Sequence, residues 1–293
     1  MADVTIAAPL DVPTPRRRSG VAYFIRRNPT LVLGLVVLVA FLAIALAAPI
    51  IGVDPQATNP SNRLQPPFGT HLLGTDHLGR DIFSRTIHGA RISLLVGASV
   101  ATAAVSIGLL LGLLAGYFRV VDAILMRLMD GLMSIPAILL AIAFVALSRA
   151  IVMVVIIAIV IPEIPRVVRL VRAVVLSVRE RPFVDAAVAG GTRVPMILLR
   201  HIVPSTIAPL IVQATYIAAS AILVEAALSF LGAGTPPDIP TWGNMIAQSR
   251  LYLSRAPWTI FAPGLALAIV VLAINMVGDG LRDHLDPRLA RRM

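Results

Sequence analysis

Asp185-Ala186-Ala187, three further residues, Gly191, then Ile202 and Pro204 form the stretch of this chain whose residue types and spacing point most clearly to docking chemistry. The segment from Arg179 to Pro204 also carries Arg179, Glu180, Arg181, Arg193 and Arg200, although charge-poor apolar runs lie on both sides of it. An ionised side chain at the bilayer centre costs ~3 kcal/mol, so a segment this charged belongs in water. Its small residues, Ala186, Ala187, Ala189, Gly190 and Gly191, leave room for a close approach to another surface. Pro182 suits the first turn of a short helix, and Gly191 suits the left-handed cap that would end it. Pro195 disfavours helix at Val194 and can begin a second short helix. The pattern reads as a short aqueous helix that docks on a partner.

Other reactive residue types are scattered. Glu225-Ala226-Ala227 imitates the same tripeptide inside an apolar run, where it cannot be an aqueous docking loop. An intramembrane carboxylate is a functional candidate by default, so Glu225 either faces a translocation path or is a hydrogen-bonded packing group. His71, His77 and His88 lie in one polar segment, but no cysteine or acidic cluster completes a metal-ligand set. The 25 basic residues are all arginine. Without lysine there is no Walker-type phosphate loop, and without cysteine there is no thiolate nucleophile or disulfide. No Gly-x-Ser-x-Gly elbow or His-Glu-x-x-His site occurs, so an enzyme is not expected.

The elements that position these residues follow from composition. Hydrophobic residues make up 58% of the 293-residue chain, and mean hydropathy is +0.89. Charged residues are 14%, about half the usual share. These values predict an all-α polytopic membrane protein. Residues 1–29 read as a tail with the run Arg16-Arg17-Arg18, and Thr30 to Val53 as a first span free of charge. Asp54 to Arg91 opens with turn formers, and its second half, Asp76 to Ser93, has the spacing of an interfacial amphipathic helix.

A second span follows over Ile92–Phe118, with Gly97, Ala101, Ala104, Gly108, Gly112 and Gly116 as a small-residue stripe for close helix packing. A polar link leads to a third span, Gly131–Ser148, kinked at Pro136, and Arg149 marks a turn. A fourth span begins at Ala150 and continues past Pro162. The fifth covers Ser205 to about Leu231, and the sixth Ala256–Gly278, with an external loop containing Trp242 between them. Residues 282–293 form a second basic tail. Six spans with both ends inside leave 18 arginines on the inner side and 7 outside, so the positive-inside rule predicts cytoplasmic termini and a cytoplasmic 179–204 loop.

Asp185 to Pro204 resembles the EAA loop of ABC-importer permeases, with Asp in place of the usual Glu. His71-Leu72-Leu73-Gly74-Thr75-Asp76-His77-Leu78-Gly79-Arg80-Asp81 and Gly89-Ala90-Arg91-Ile92-Ser93-Leu94 are similar to the first-loop signature of one permease subunit of dipeptide, oligopeptide and nickel importers. Trp242-Gly243 and Gly278-Asp279-Gly280-Leu281-Arg282-Asp283 extend the likeness over nearly the whole chain. The resemblance implies a transmembrane core over 92–281 that forms half of a translocation pathway in the bacterial cytoplasmic membrane. It also implies that Asp185, Ala186, Ala187, Gly191, Arg193, Ile202 and Pro204 couple to an ATPase. Expected partners are a second homologous permease, one or two ABC ATPases, an extracytoplasmic substrate-binding protein and membrane lipids. No cofactor is expected. A secondary transporter or channel is the alternative, although no inverted repeat is apparent.

Overall fold

The computed structural model describes residues 28–51, 53–148 and 151–285. Ten α-helices make up nearly all of it, and among the described residues the only β pairing is two isolated bridges, Phe68–His71 and Thr75–Asp81, in the loop between the first two long helices. The expected tails lie largely outside the described residues, as does the turn at Arg149.

Helix α1 (Pro29–Ile51) is uncharged and buries only Leu31, Gly34, Ala45 and Ala48, so most of its apolar surface is left for lipid. Its small residues explain how it is seated. A Cβ on Gly34 would stand 2.8 Å from the Ala273 carbonyl oxygen, and one on Gly280 would stand 2.4 Å from Leu31 Cβ. The backbones of α1 and α10 (Trp258–Leu285) therefore approach closely, as glycines allow between membrane helices.

Helix α2 runs unbroken from Ile82 to Tyr117. The separate interfacial helix expected over 76–93 is thus replaced by turns up to Arg80, the N-cap residue Asp81, and the first turns of this long helix. Asp81 caps it by accepting from the Ser84 amide at 2.7 Å, which fixes where it starts. The small-residue stripe works as spacing predicted, but on two partners. Cβ atoms on Gly108, Gly112 and Gly116 would stand 2.4, 2.6 and 2.5 Å from Val167, Val171 and Val175 of α5 (Val152–Arg179), whereas Gly97 faces Ala218 and Ile222 of α8 (Val203–Phe230).

The expected third span, Gly131–Ser148, is not one helix. Its residues are divided between α3 (Arg119–Ser134) and α4 (Ala137–Ala146), which meet at an 86° bend at Ile135-Pro136. The polar link expected before it is the first part of α3. Pro136 is the N-cap of α4, where its ring costs no helical hydrogen bond. Helix α5 continues through Pro162 and Pro165 and packs along α2. Beyond α5 come α6 (Pro182–Ala189), α7 (Val194–Ile197) and a π turn, Leu198–Ile202, that runs into α8. Helix α9 (Trp242–Ser249) lies inside the expected second external loop, and α10 continues past the expected inner boundary to Leu285.

Among the described residues, four helical segments are long and apolar enough to cross a membrane: α1, α2, Val194–Phe230 and α10. The bent α3–α4 pair would make five. Helix α5 has the length, but Glu163, Arg166, Arg169 and Arg172 break its apolar character.

Candidate functional site

The Arg179–Pro204 segment is a chain of three short helical pieces whose joints follow from its prolines and glycines. Pro182 occupies the first turn of α6, as a residue without an N–H can. Gly190 closes the helix, and Gly191 follows at φ 74°, the left-handed region in which glycine carries no Cβ penalty. The Thr192 amide donates to Ala187 O and the Gly191 amide to Val188 O, both at 3.0 Å. This pair of bonds is a Schellman motif. Arg193 then caps α7, with Pro195 in its first turn, and Pro204 falls in the first turn of α8.

The seven residues singled out in this segment divide by burial. Asp185, Ala186, Gly191, Arg193 and Pro204 are exposed, Ala187 is half-buried, and Ile202 is buried completely. Ile202, with Val184 and Ile197, enters the core between α2, α5 and α8 and anchors the segment. The outward surface holds apolar side chains that the sequence reading passed over: Phe183 at 48% exposed, Met196 at 52% and Leu199 at 66%, with Val188 also exposed. Large apolar groups beside small ones, rimmed by Asp185, Arg181 and Arg193, make a surface suited to a groove in another protein. Their apolar character was visible in the sequence, but in so short a helix an exposed apolar residue looks the same as a buried one.

Glu225 is a different construction. It is 1% exposed, near the outer end of α8. One carboxylate oxygen, Oε1, accepts from Ser229 Oγ at 2.9 Å, Thr241 Oγ1 at 2.9 Å and Thr235 Oγ1 at 3.3 Å, while Oε2 is buried without a partner. Thr241 also caps α9 through the Asn244 amide at 3.1 Å. Asn244 Nδ2 in turn holds the Thr235, Pro236 and Ile239 carbonyls at 2.8–3.1 Å. The cluster winds the 231–241 loop round the end of α8. These bonds and this burial are those of a hydrogen-bonded packing group, the second of the two readings of Glu225.

The outer loop is knotted just as tightly. Asp76 accepts from the Leu78 and Arg80 amides through Oδ1, at 2.8 and 2.9 Å, and from Arg80 Nε through Oδ2 at 2.6 Å. Arg80 reaches Gln248 of α9 at 2.8 Å. Trp242, fully buried, donates to the Thr86 carbonyl at 3.0 Å and meets the edge of Phe41. The three histidines go to separate places: His71 to Asp81 at 2.9 Å, His88 to the Ser84 carbonyl at 2.9 Å, and His77 onto the ring of Tyr252. Burial depresses the His77 pKa below 6.5; Arg80, Arg85 and Arg63 add to that, and Asp76 opposes it.

Comparison with known proteins bears on both ends of the bundle. The family described as the binding-protein-dependent transport system inner membrane component matches residues 108–291, and the N-terminal TM domain of oligopeptide transport permease C matches residues 23–67. A probable peptide ABC transporter permease protein, y4tQ of Sinorhizobium fredii, is 57% identical over 267 residues, 91% of this chain and 92% of its own length. The dipeptide transport system permease protein DppC of Alkalihalophilus pseudofirmus is 46% identical over 90% of this chain and 88% of its own. Among solved structures, an inward-facing MetNI methionine ABC transporter superposes with a TM-score of 0.53. It is 20% identical and covers 70% of this chain and 98% of the matched one, a likeness of fold.

Proposed function

The chain belongs to the family of binding-protein-dependent transport system inner membrane components, and from that premise we propose that it is a permease subunit of an ATP-driven importer of peptides. The relatives named as peptide and dipeptide permeases support the substrate class. A related small solute such as a nickel chelate fits the sequence signature as well. In this reading the chain spans the membrane six times, with α3–α4 as a broken span and α5 completing the count, and both termini are cytoplasmic. It pairs with a second homologous permease in the lipid bilayer, receives substrate from an extracytoplasmic binding protein, and couples to one or two ABC ATPases.

The observation that carries the reading is the inner segment. Helix α6 enters the core by Val184 alone, with Ala187 half-buried beside it, and turns Phe183, Asp185, Ala186 and Val188 outward. An apolar surface on an aqueous loop is costly unless something covers it. An ATPase groove that moves on closing round ATP would carry α6 with it, and Ile197 and Ile202 would pass that motion to α8. The secondary-transporter or channel alternative supplies no partner for this surface, whereas the importer reading does.

Gly191→Val tests this. A β-branched residue at φ 74° costs about 1–2 kcal/mol of local strain. Nothing lies within 4 Å of a Cβ there, so the permease itself has room for the side chain. The expected result is normal membrane abundance with loss of ATPase co-purification or of uptake; wild-type association and uptake would end the coupling role. Orientation is tested separately by placing a cysteine at Asn59 in this cysteine-free chain. Labelling from the periplasmic side is expected, and labelling only from the cytoplasm would invert the topology.

A further inference from the structure

Helix α5 carries three arginines within its length besides the terminal Arg179, and two of them are held by another helix. Arg169 Nη2 donates to Asp130 Oδ1 at 2.6 Å, and Arg172 Nη2 to Asp122 Oδ2 at 2.7 Å. Both carboxylates belong to α3, so these pairs staple α3 to α5. Arg166 differs. Its Nη1 donates to both oxygens of Glu163, at 3.1 and 3.2 Å, one turn back on the same helix. A pair within one helix joins no elements. It is also lopsided, since the Glu163 side chain is 6% exposed and that of Arg166 is 44% exposed. The anionic half is sealed and the cationic half is open.

Depth and direction narrow what the open half can meet. Arg179 marks the inner level, because its Nη1 donates to the Gly116 and Tyr117 carbonyls at the end of α2. At 1.5 Å per residue Arg166 lies about 20 Å back along α5, well inside a hydrocarbon core ~30 Å thick. The exposed residues of this inner half, Arg166, Arg169, Ala173 and Ser177, fall within about 80° of one another round the helix. Further out, the same face holds Val155, Ala158 and Ile159 and is buried. The result is a strip of α5 that is exposed in its inner half and covered further out. Lipid cannot cover it, since a lipid-facing arginine at this depth would cost ~3 kcal/mol.

We propose that Arg166 stands in the inner half of the translocation path and receives the terminal carboxylate of a peptide on its way in; this rests on the permease reading above. Every linear peptide has that group whatever its sequence, so one guanidinium serves many cargoes. The planar fork matches a carboxylate by two parallel hydrogen bonds, which an ammonium cannot supply. Glu163 sets the strength. By already neutralising the arginine it leaves an attraction sufficient to guide a carboxylate and too weak to trap it, as a conducting site requires.

The test uses the assembled transporter, with both permeases, its ATPases and its binding protein, and trialanine as cargo. Arg166→Cys is expected to react with an anionic water-soluble thiol reagent, and saturating trialanine is expected to slow that reaction. Arg166→Gln is expected to lower trialanine uptake about tenfold with ATPase co-purification unchanged, and Arg166→Lys to recover part of it. A cysteine that stays unreactive, buried against lipid or the sister subunit, would overturn the proposal. So would wild-type uptake by Arg166→Gln, or loss of assembly in that variant, which would make the pair structural. Failure of the wild-type complex to import trialanine would remove the peptide reading itself and this inference with it.

Discussion

Gly79 and Gly191 share a φ of 74°, yet their surroundings have nothing else in common. A Cβ on Gly79 would stand 1.8 Å from the Asn59 carbonyl oxygen; on Gly191 it would find nothing within 4 Å. The same contrast runs through the regions around them. The end of the bundle expected to face outward is tied by side chains: Asp76, Arg80, Gln248, Thr241, Asn244 and Glu225 each bond across a turn or between elements. The inner segment has backbone caps, three buried aliphatic anchors and an exposed apolar surface. An end laced together by its own side chains holds its shape through those bonds. An end that leaves Phe183, Met196 and Leu199 exposed is, in the reading proposed above, shaped for a partner.

The contrast breaks first at the two glycines. Gly79→Ala puts a methyl group into a backbone carbonyl at a left-handed position, and overpacking plus strain is expected to cost about 3 kcal/mol or more. Gly191→Ala carries the strain alone, about 1 kcal/mol, and leaves the fold in place. Thermal unfolding of the two purified variants in one detergent checks this: Gly79→Ala melts well below the wild type and Gly191→Ala close to it. Equal losses would show that the shared left-handed backbone sets the cost at both glycines and that steric room does not separate the two ends.

Glu225 is the next test of the outer end. Removing it leaves three buried hydroxyls without their shared acceptor and a cavity beside them, so Glu225→Ala is expected to cost about 2–4 kcal/mol. Glu225→Gln keeps an oxygen acceptor of the same reach and is expected to stay within about 1 kcal/mol of the wild type in stability and in uptake. A Gln variant as stable as the wild type but unable to transport would return the carboxylate to the translocation path.

Much of this was legible in the sequence because local chemistry decides it. Pro182 and Gly191 mark the ends of α6 on their own, and the spacing of Gly108, Gly112 and Gly116 makes a close helix contact whatever the partner. Other features depend on contacts between residues far apart in the chain. The 76–93 stretch has interfacial spacing, yet it runs on into a long helix whose first turns meet Trp242, more than 100 residues on, at the Thr86 carbonyl and beside Gly89. Pro136 announced a kink, but 86° follows from how α4 packs on α5, which no local pattern carries. Ile202 shared a motif with exposed residues and was read with them, although only the fold separates an anchor from a contact. Arg166 carries no local signal that sets it apart from Arg169 and Arg172 on the same helix; only their partners do.

The smallest expected effect is pH-dependent and belongs to the outer knot. His77 stacks on Tyr252 with ring centroids 5.4 Å apart, and its Nδ1 is buried without a hydrogen-bond partner. Burial depresses its pKa below the ordinary 6.5, with Arg80, Arg85 and Arg63 pushing the same way against Asp76. An opened loop would let the imidazole titrate normally, so below about pH 6.5 the open form binds more protons than the closed one. Stability of the closed loop is therefore fully present above that pH and is lost as pH falls through it towards the depressed value. Hydrogen exchange of the 75–81 amides, corrected for the intrinsic rate, is expected to rise between about pH 7.5 and 5.5 in the wild type. His77→Phe keeps the stack on Tyr252 and removes the proton, so its corrected exchange is expected to stay flat over that range. The inner segment is not expected to respond, because its 182–191 amides are held by caps with no buried histidine among them. An equal response in His77→Phe would assign the titration to another group in the loop.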